Sequence, residues 1–163
     1  MTSEEQTVHV DRMRYTKDTL SSGLILIAIV LDALYFVSIY QSDVGSYFYT
    51  WVTGASIIYN LVFMLAAFLA SEGVKSRKSG YTPLLLAIAA MQVVRIFYIP
   101  WRAHAAVVAV GGEELTVMGS GQFCYTVACL AVSAVCCTAA ALISLRNNRL
   151  LAAHLRSIQN QSA

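Results

Sequence analysis

Four stretches of the chain are almost continuously apolar, each about as long as a helix that crosses a bilayer, with short polar segments between them. The first, Leu20 to Tyr40, is broken only by Asp32 and by small hydroxyl residues. At a rise of ~1.5 Å per residue it covers ~30 Å, the thickness of the hydrocarbon core. The second runs from about Tyr49 to Ala70, the third from Tyr81 to at least Ile99, and the fourth from about Gln122 to Leu145. Runs of this length read as membrane-crossing helices. The expected fold class is therefore all-α, an integral membrane bundle of four transmembrane helices.

The segments between the runs have the chemistry of connections. QSDVGSYF holds Asp43, Gly45 and Ser46, which favour turns, and so short a link makes its two helices antiparallel neighbours. EGVKSRKSG places Gly73 and Gly80 where helices end. After Pro100, WRAHAAVVAV suits a tilted continuation of the third helix, an interfacial helix or a re-entrant piece. GGEELTVMGSG reads as a loop with Glu113 and Glu114 in solvent. Residues 1–19 form a polar N-terminal arm, with Glu4, Glu5 and Asp11 and with Thr16 or Asp18 as a cap for the first helix. Residues 20–145 form the membrane domain. Residues 146–163 form a basic amphipathic tail, Leu150, Leu151, Leu155 and Ile158 beside Arg146, Arg149 and Arg156, which suits the inner leaflet or an extension of the last helix.

Composition supports this reading. The 163 residues are 58% hydrophobic and 12% charged, with a mean hydropathy of +0.63, outside the range of an ordinary soluble domain. A net charge of +2 gives no reason to expect a nucleic-acid partner. The first apolar run is too long for a signal-peptide core and lacks a small-residue cleavage pattern, so it is expected to remain as an anchor.

The placement of the basic residues says more than their sum. With the N-terminus inside, cytoplasmic segments carry Arg12, Arg14, Lys17, Lys75, Arg77, Lys78, Arg146, Arg149 and Arg156, whereas only Arg102 lies outside. Both termini are thus expected in the cytoplasm. The expected location is a plasma membrane or a bacterial inner membrane, with the lipid bilayer as the first partner. Tyr35, Phe36, Tyr40, Tyr47, Phe48, Tyr49, Trp51, Phe97, Tyr98 and Trp101 then fall in the outer half. Part of this set is an interfacial aromatic belt. Tyr40, Trp51, Tyr98 and Trp101, with His104, make a candidate outer pocket.

Two residues in the apolar runs are charged. Arg95 lies between Pro83 and Pro100, and Asp32 is the one acidic residue in a run. A charge at the centre of a membrane helix costs roughly 2.5–3.5 kcal/mol on insertion scales, so each needs a partner. Counting from the inner face puts Asp32 at ~18 Å and Arg95 at ~21 Å, close enough in depth to pair. Asn60 and Gln92 come out near the midplane, ~16 Å from a helix end. Gln92 shares a face with Arg95, and Thr53, Ser56 and Asn60 share a face of the second helix. Asp32, Arg95, Gln92, Asn60, Tyr35 and Tyr59 form a candidate intramembrane polar cluster. Such a cluster either fixes helix register or, if hydrated, binds an ion, a proton or a solute.

Other candidate chemistry is thin. Cys124, Cys129, Cys136 and Cys137 all fall in the last run without CxxC spacing and read as small buried hydrophobes. His9, His104 and His154 are scattered, and no phosphate loop, HExxH or nucleophile elbow is present. No catalytic residue, cofactor or metal is implied.

Two functions remain. The first is a non-enzymatic accessory or interaction subunit, a homo-oligomer or part of a larger membrane complex, that packs through its small-residue last helix. The second is a small-solute or ion transporter or binding protein that takes its ligand from the outer side and uses Asp32 and Arg95.

Overall fold

A computed structural model describes Val8 and residues 17–40, 50–78, 80–110 and 113–161. In order these form α1 (Thr19–Tyr40), α2 (Thr50–Lys75), α3 (Tyr81–Tyr98), α4 (Pro100–Ala105), β1 (Val107–Val110), β2 (Glu113–Thr116) and α5 (Ser120–Gln161). Among the described residues, four helical stretches are long and apolar enough to cross a membrane: Thr19–Tyr40, Gly54–Lys75, Tyr81–Ala105 and Ser120–Ser157. The architecture is compatible with a multi-pass membrane bundle. The Asp43 turn, residues 1–16 apart from Val8, and the side chains of Trp51, Thr53, Glu113 and Glu114 lie outside what is described.

The helices form a ring in the order α2, α1, α5, α3. Packing is most extensive between α5 and its neighbours α1 and α3, whereas α2 rests on α1 and touches α3 lightly. Residue size explains the difference. Along α5, Cys129, Ser133, Ala134, Cys137, Ala140, Ala141 and Ser144 are buried on one face, and side chains this small let helix backbones approach closely. On α1 the buried face is Ser21, Ser22, Ile25, Ala28, Asp32, Tyr35 and Ile39, the alternating three and four spacing of a helix stripe. Outward-facing Leu26, Ile27, Val30, Leu65, Phe68 and Val135 are exposed and apolar, as a lipid-facing surface requires.

The end of the bundle where α1 begins and α2 finishes is closed by small polar groups. The Asp18 carboxylate caps α1, accepting from the Ser21 amide at 3.2 Å and the Ser21 hydroxyl at 2.9 Å, and it also accepts from Asn147 Nδ2 at 3.2 Å. Asp18 therefore supplies the cap; Thr16 lies outside the described residues. The Ser22 and Ser71 hydroxyls are 2.7 Å apart, and those of Thr82 and Ser144 are 3.3 Å apart. The α2–α3 turn closes with Arg77 in the left-handed region at φ 55, with Lys78 N–H on the Gly73 carbonyl at 3.0 Å and Arg77 N–H on the Val74 carbonyl at 2.8 Å. This is a Schellman ending with arginine where glycine is usual.

Two regions differ from the sequence reading or resolve its alternatives. Beyond Pro100 the helix continues for six residues, its hydrogen bonds carried across the proline by Ala103 N–H on the Ile99 carbonyl at 2.9 Å. The segment is thus helical, but only as far as Ala105. The chain turns extended at Ala106, and Val107–Val110 pairs antiparallel with Glu113–Thr116 in a register that leaves two residues, Gly111 and Gly112, between the paired ends. The stretch read as a loop therefore contains a hairpin strand. β-branched valines favour strands, and a two-residue Gly-Gly link is a hairpin signal. The tail, in turn, continues α5 without a break through Gln161, a helix of 42 residues and ~63 Å.

Candidate functional site

At about mid-height all four long helices contribute to one polar layer. Arg95 Nη1 donates to Asp32 Oδ1, pairing α3 with α1, and to Gln92 Oε1 at 2.9 Å. Arg95 Nη2 donates to Asn60 Oδ1 on α2. Gln92 Nε2 donates to Asp32 Oδ1 at 3.3 Å and to Ser133 Oγ on α5 at 3.0 Å, and the Ser133 hydroxyl donates to the Ala28 carbonyl at 3.3 Å. Gln92 and Arg95 can share this work because they stand one turn apart on one face.

The layer is deeply buried, with Asp32 and Asn60 at 0% exposure and Arg95 at 7%. Three aromatic rings surround the guanidinium: its carbon lies 4.6 Å from the Tyr35 ring centre, 5.1 Å from Tyr59 and 5.5 Å from Phe63. Such contacts contribute about 2 kcal/mol or more when desolvated. Apolar clusters hold the layer on both sides, one including Ile25, Phe63, Leu85 and Cys137 and the other Tyr35, Ile39, Ile99 and Leu130.

The layer is not self-sufficient. Asp32 Oδ2, Asn60 Nδ2 and the Tyr35 hydroxyl are buried and make no hydrogen bond of regular geometry. Each such group costs about 1–3 kcal/mol if left unmatched. Beside it, between α2 and α3, lies a cavity of about 300 Å³ lined by Tyr35, Ala55, Ser56, Tyr59, Met91, Val94, Arg95, Tyr98 and Ile99. It occurs where the ring of helices is packed least tightly. Chemically this is a mostly apolar, aromatic-walled space with a polar base, the usual character of a small-molecule site.

All six residues of the expected polar cluster come together: Asp32, Arg95, Gln92 and Asn60 by hydrogen bonds, and Tyr35 and Tyr59 by ring contacts with Arg95. Of the expected outer pocket, the Trp51 side chain lies outside the described residues. Among its described members, Tyr40, Tyr98, Trp101 and His104, only Tyr98 lines the cavity. Trp101 packs against Phe97 and Phe123, His104 stacks on Phe123 and contacts the Met118 carbonyl at 3.0 Å, and Tyr40 lies on Phe36. The reason is geometric: α4 and the hairpin carry Trp101 and His104 towards the start of α5, away from the α2–α3 seam.

Ser133, Met91 and Val94 were missing from the sequence reading. Ser133 was legible only as one of the small residues of the last helix, although counting its depth along that helix places it level with Gln92. Met91 and Val94 look like ordinary lipid-facing positions until the seam beside them is seen. The cysteines form no disulfide; Cys129 and Cys137 are buried, Cys136 is half-buried and Cys124 is exposed.

Fold and site together define a bundle of four apolar helices of membrane-crossing length around a buried ion-pair network with an adjoining cavity. No protein-family model, curated protein or solved structure matches this chain.

Proposed function

We propose that this chain is a non-enzymatic integral membrane protein that binds a small molecule in the α2–α3 cavity, above the Asp32–Arg95 pair. The observation that carries this reading is the coincidence of an aromatic-walled cavity with a lining residue, Tyr35, whose buried hydroxyl makes no hydrogen bond of regular geometry. A network serving only to fix helix register gains nothing from open hydrogen-bonding groups, because each one costs stability. The alternative, assembly through the small-residue last helix, has less support: those residues are used inside the bundle, against α1 and α3.

The proposal includes an orientation with both termini cytoplasmic in a plasma or bacterial inner membrane, on the strength of the basic residues in the N-terminal arm, the α2–α3 turn and the tail. Reporter fusions at Gly80 and at the C-terminus test this half, and an external location for either overturns it.

For binding, the test compares protein purified from membranes with a Val94→Trp variant, whose indole fills the cavity. Extraction and mass spectrometry are expected to find a small molecule at near-stoichiometric amount in the unmodified protein and absent from the folded variant. Identical extracts from the two would remove the reading.

A further inference from the structure

The polar base of the cavity offers no free charge. The Arg95 guanidinium is committed to Asp32, Gln92 and Asn60, and Asp32 Oδ1 receives both Arg95 and Gln92. An anionic ligand would have to draw the guanidinium away and leave a carboxylate unpaired in the bundle. A cation would do the reverse. Either exchange abandons a buried charge, which is strongly unfavourable.

What stays open is hydrogen-bonding capacity of both senses. Asn60 Nδ2 and Asp32 Oδ2 belong to residues outside the cavity lining, whereas Tyr35 lines it and its hydroxyl can donate or accept. Tyr35 is the decisive one, being fully buried, lining the cavity and lying over the guanidinium. The group that remains, an uncharged hydroxyl, therefore matches a neutral head.

The rest of the site matches an apolar body. Tyr59, Met91, Val94, Tyr98 and Ile99 form its walls. An apolar cavity of about 150 Å³ holds benzene, so about 300 Å³ has room for a two-ring molecule. Access is sideways: Met91, Val94 and Tyr98 line the cavity yet are 43%, 56% and 51% exposed on the flank between α2 and α3. In a bilayer that flank meets lipid, not water.

Resting on the binding reading above, we infer that the site takes a lipid-soluble molecule with a neutral hydrogen-bonding head of the alcohol, phenol or carbonyl kind. It passes between α2 and α3 from the bilayer and sets its head against Tyr35, leaving the Asp32–Arg95 pair intact.

A matched set of two-ring probes tests this on the full chain in detergent micelles at neutral pH: 2-naphthol, naphthalene, 2-naphthoate and protonated 2-(aminomethyl)naphthalene. Binding is measured by equilibrium dialysis as the excess over Val94→Trp, with Ala55→Phe as the filled control if that variant does not fold. The expected order puts 2-naphthol roughly tenfold or more ahead of both charged probes and about fivefold ahead of naphthalene. Tyr35→Phe is expected to bring 2-naphthol down to naphthalene and to leave naphthalene unchanged. Should 2-naphthoate or the ammonium probe bind best, or naphthalene bind as well as 2-naphthol, the neutral-head inference is overturned while the cavity keeps its binding role. If no probe exceeds the filled variant, the binding role itself falls. The ranking on unmodified protein decides the matter even if Tyr35→Phe misfolds.

Discussion

Arg95 on α3 and Asp32 on α1 form a buried ion pair that Gln92, one turn before Arg95, braces from the same face by bonding to both partners. The pair is neutral as a unit, which is what makes it tolerable among apolar helices. Its members are far less tolerable alone.

This gives a stability prediction. Asp32→Asn and Arg95→Gln are each expected to destabilise the bundle by about 3–5 kcal/mol, because each leaves an uncompensated buried charge. The double variant, neutral throughout, is expected to lose less than either single one. Unfolding by a denaturing detergent, read by circular dichroism, measures all four corners of the cycle. Additive losses would mean that the two side chains do not interact in the folded protein.

Ser133 ties α5 into the layer by accepting from Gln92 and donating to the Ala28 carbonyl. Ser133→Ala is expected to cost about 0.6–1.7 kcal/mol, the span from mean to maximum for hydrogen bonds between membrane helices. Ser133→Leu should cost more, since the α5 face is buried against neighbouring backbones and has no room for the added bulk. Equal stability of the unmodified protein and both variants in the same unfolding assay would count against this packing.

Gly73 and Tyr81 set the close approach at the α2–α3 turn. A Cβ at Gly73 would overlap the Tyr81 ring near its base, so the whole ring or the turn backbone must shift. Gly73→Ala is therefore expected to destabilise by about 1–3 kcal/mol, and to cost much less in a Tyr81→Ala background. A loss that is the same in both backgrounds would place the cause elsewhere than this contact.

The main elements were legible in the sequence because they depend on long-range averages. Four runs of about the right length, interrupted by turn chemistry, specify four helices whatever their detailed packing. Asp32 and Arg95 were legible because a charge in an apolar run demands a partner, and depth counting left few choices. The cavity was not legible. It arises from unequal packing around the ring, α5 being slim enough to draw α1 and α3 close while α2 is left loosely against α3, and no local pattern encodes that. Trp101 and His104 lie away from this cavity for a related reason: interfacial depth groups residues by height and is blind to which side of the bundle they face. The hairpin does carry a local signal, since the β-branched Val107, Val108 and Val110 precede Gly111 and Gly112, but the apolar WRAHAAVVAV stretch suits a helix as well.

Met91 offers the most direct test of the central claim, that the space between α2 and α3 is a binding site. It lines the cavity, whereas Met118 is fully buried in the cluster near α4 and Met64 packs on the cluster below the polar layer. With the methionine methyl groups carbon-13 labelled, titration with naphthalene and with 2-naphthol is expected to shift the Met91 methyl resonance in a saturable way through the ring current of the bound probe. Met64 and Met118 should stay nearly still, and Val94→Trp should abolish the response. A Met91 signal that does not move with either probe, or that moves only in step with Met64 and Met118, would contradict the account.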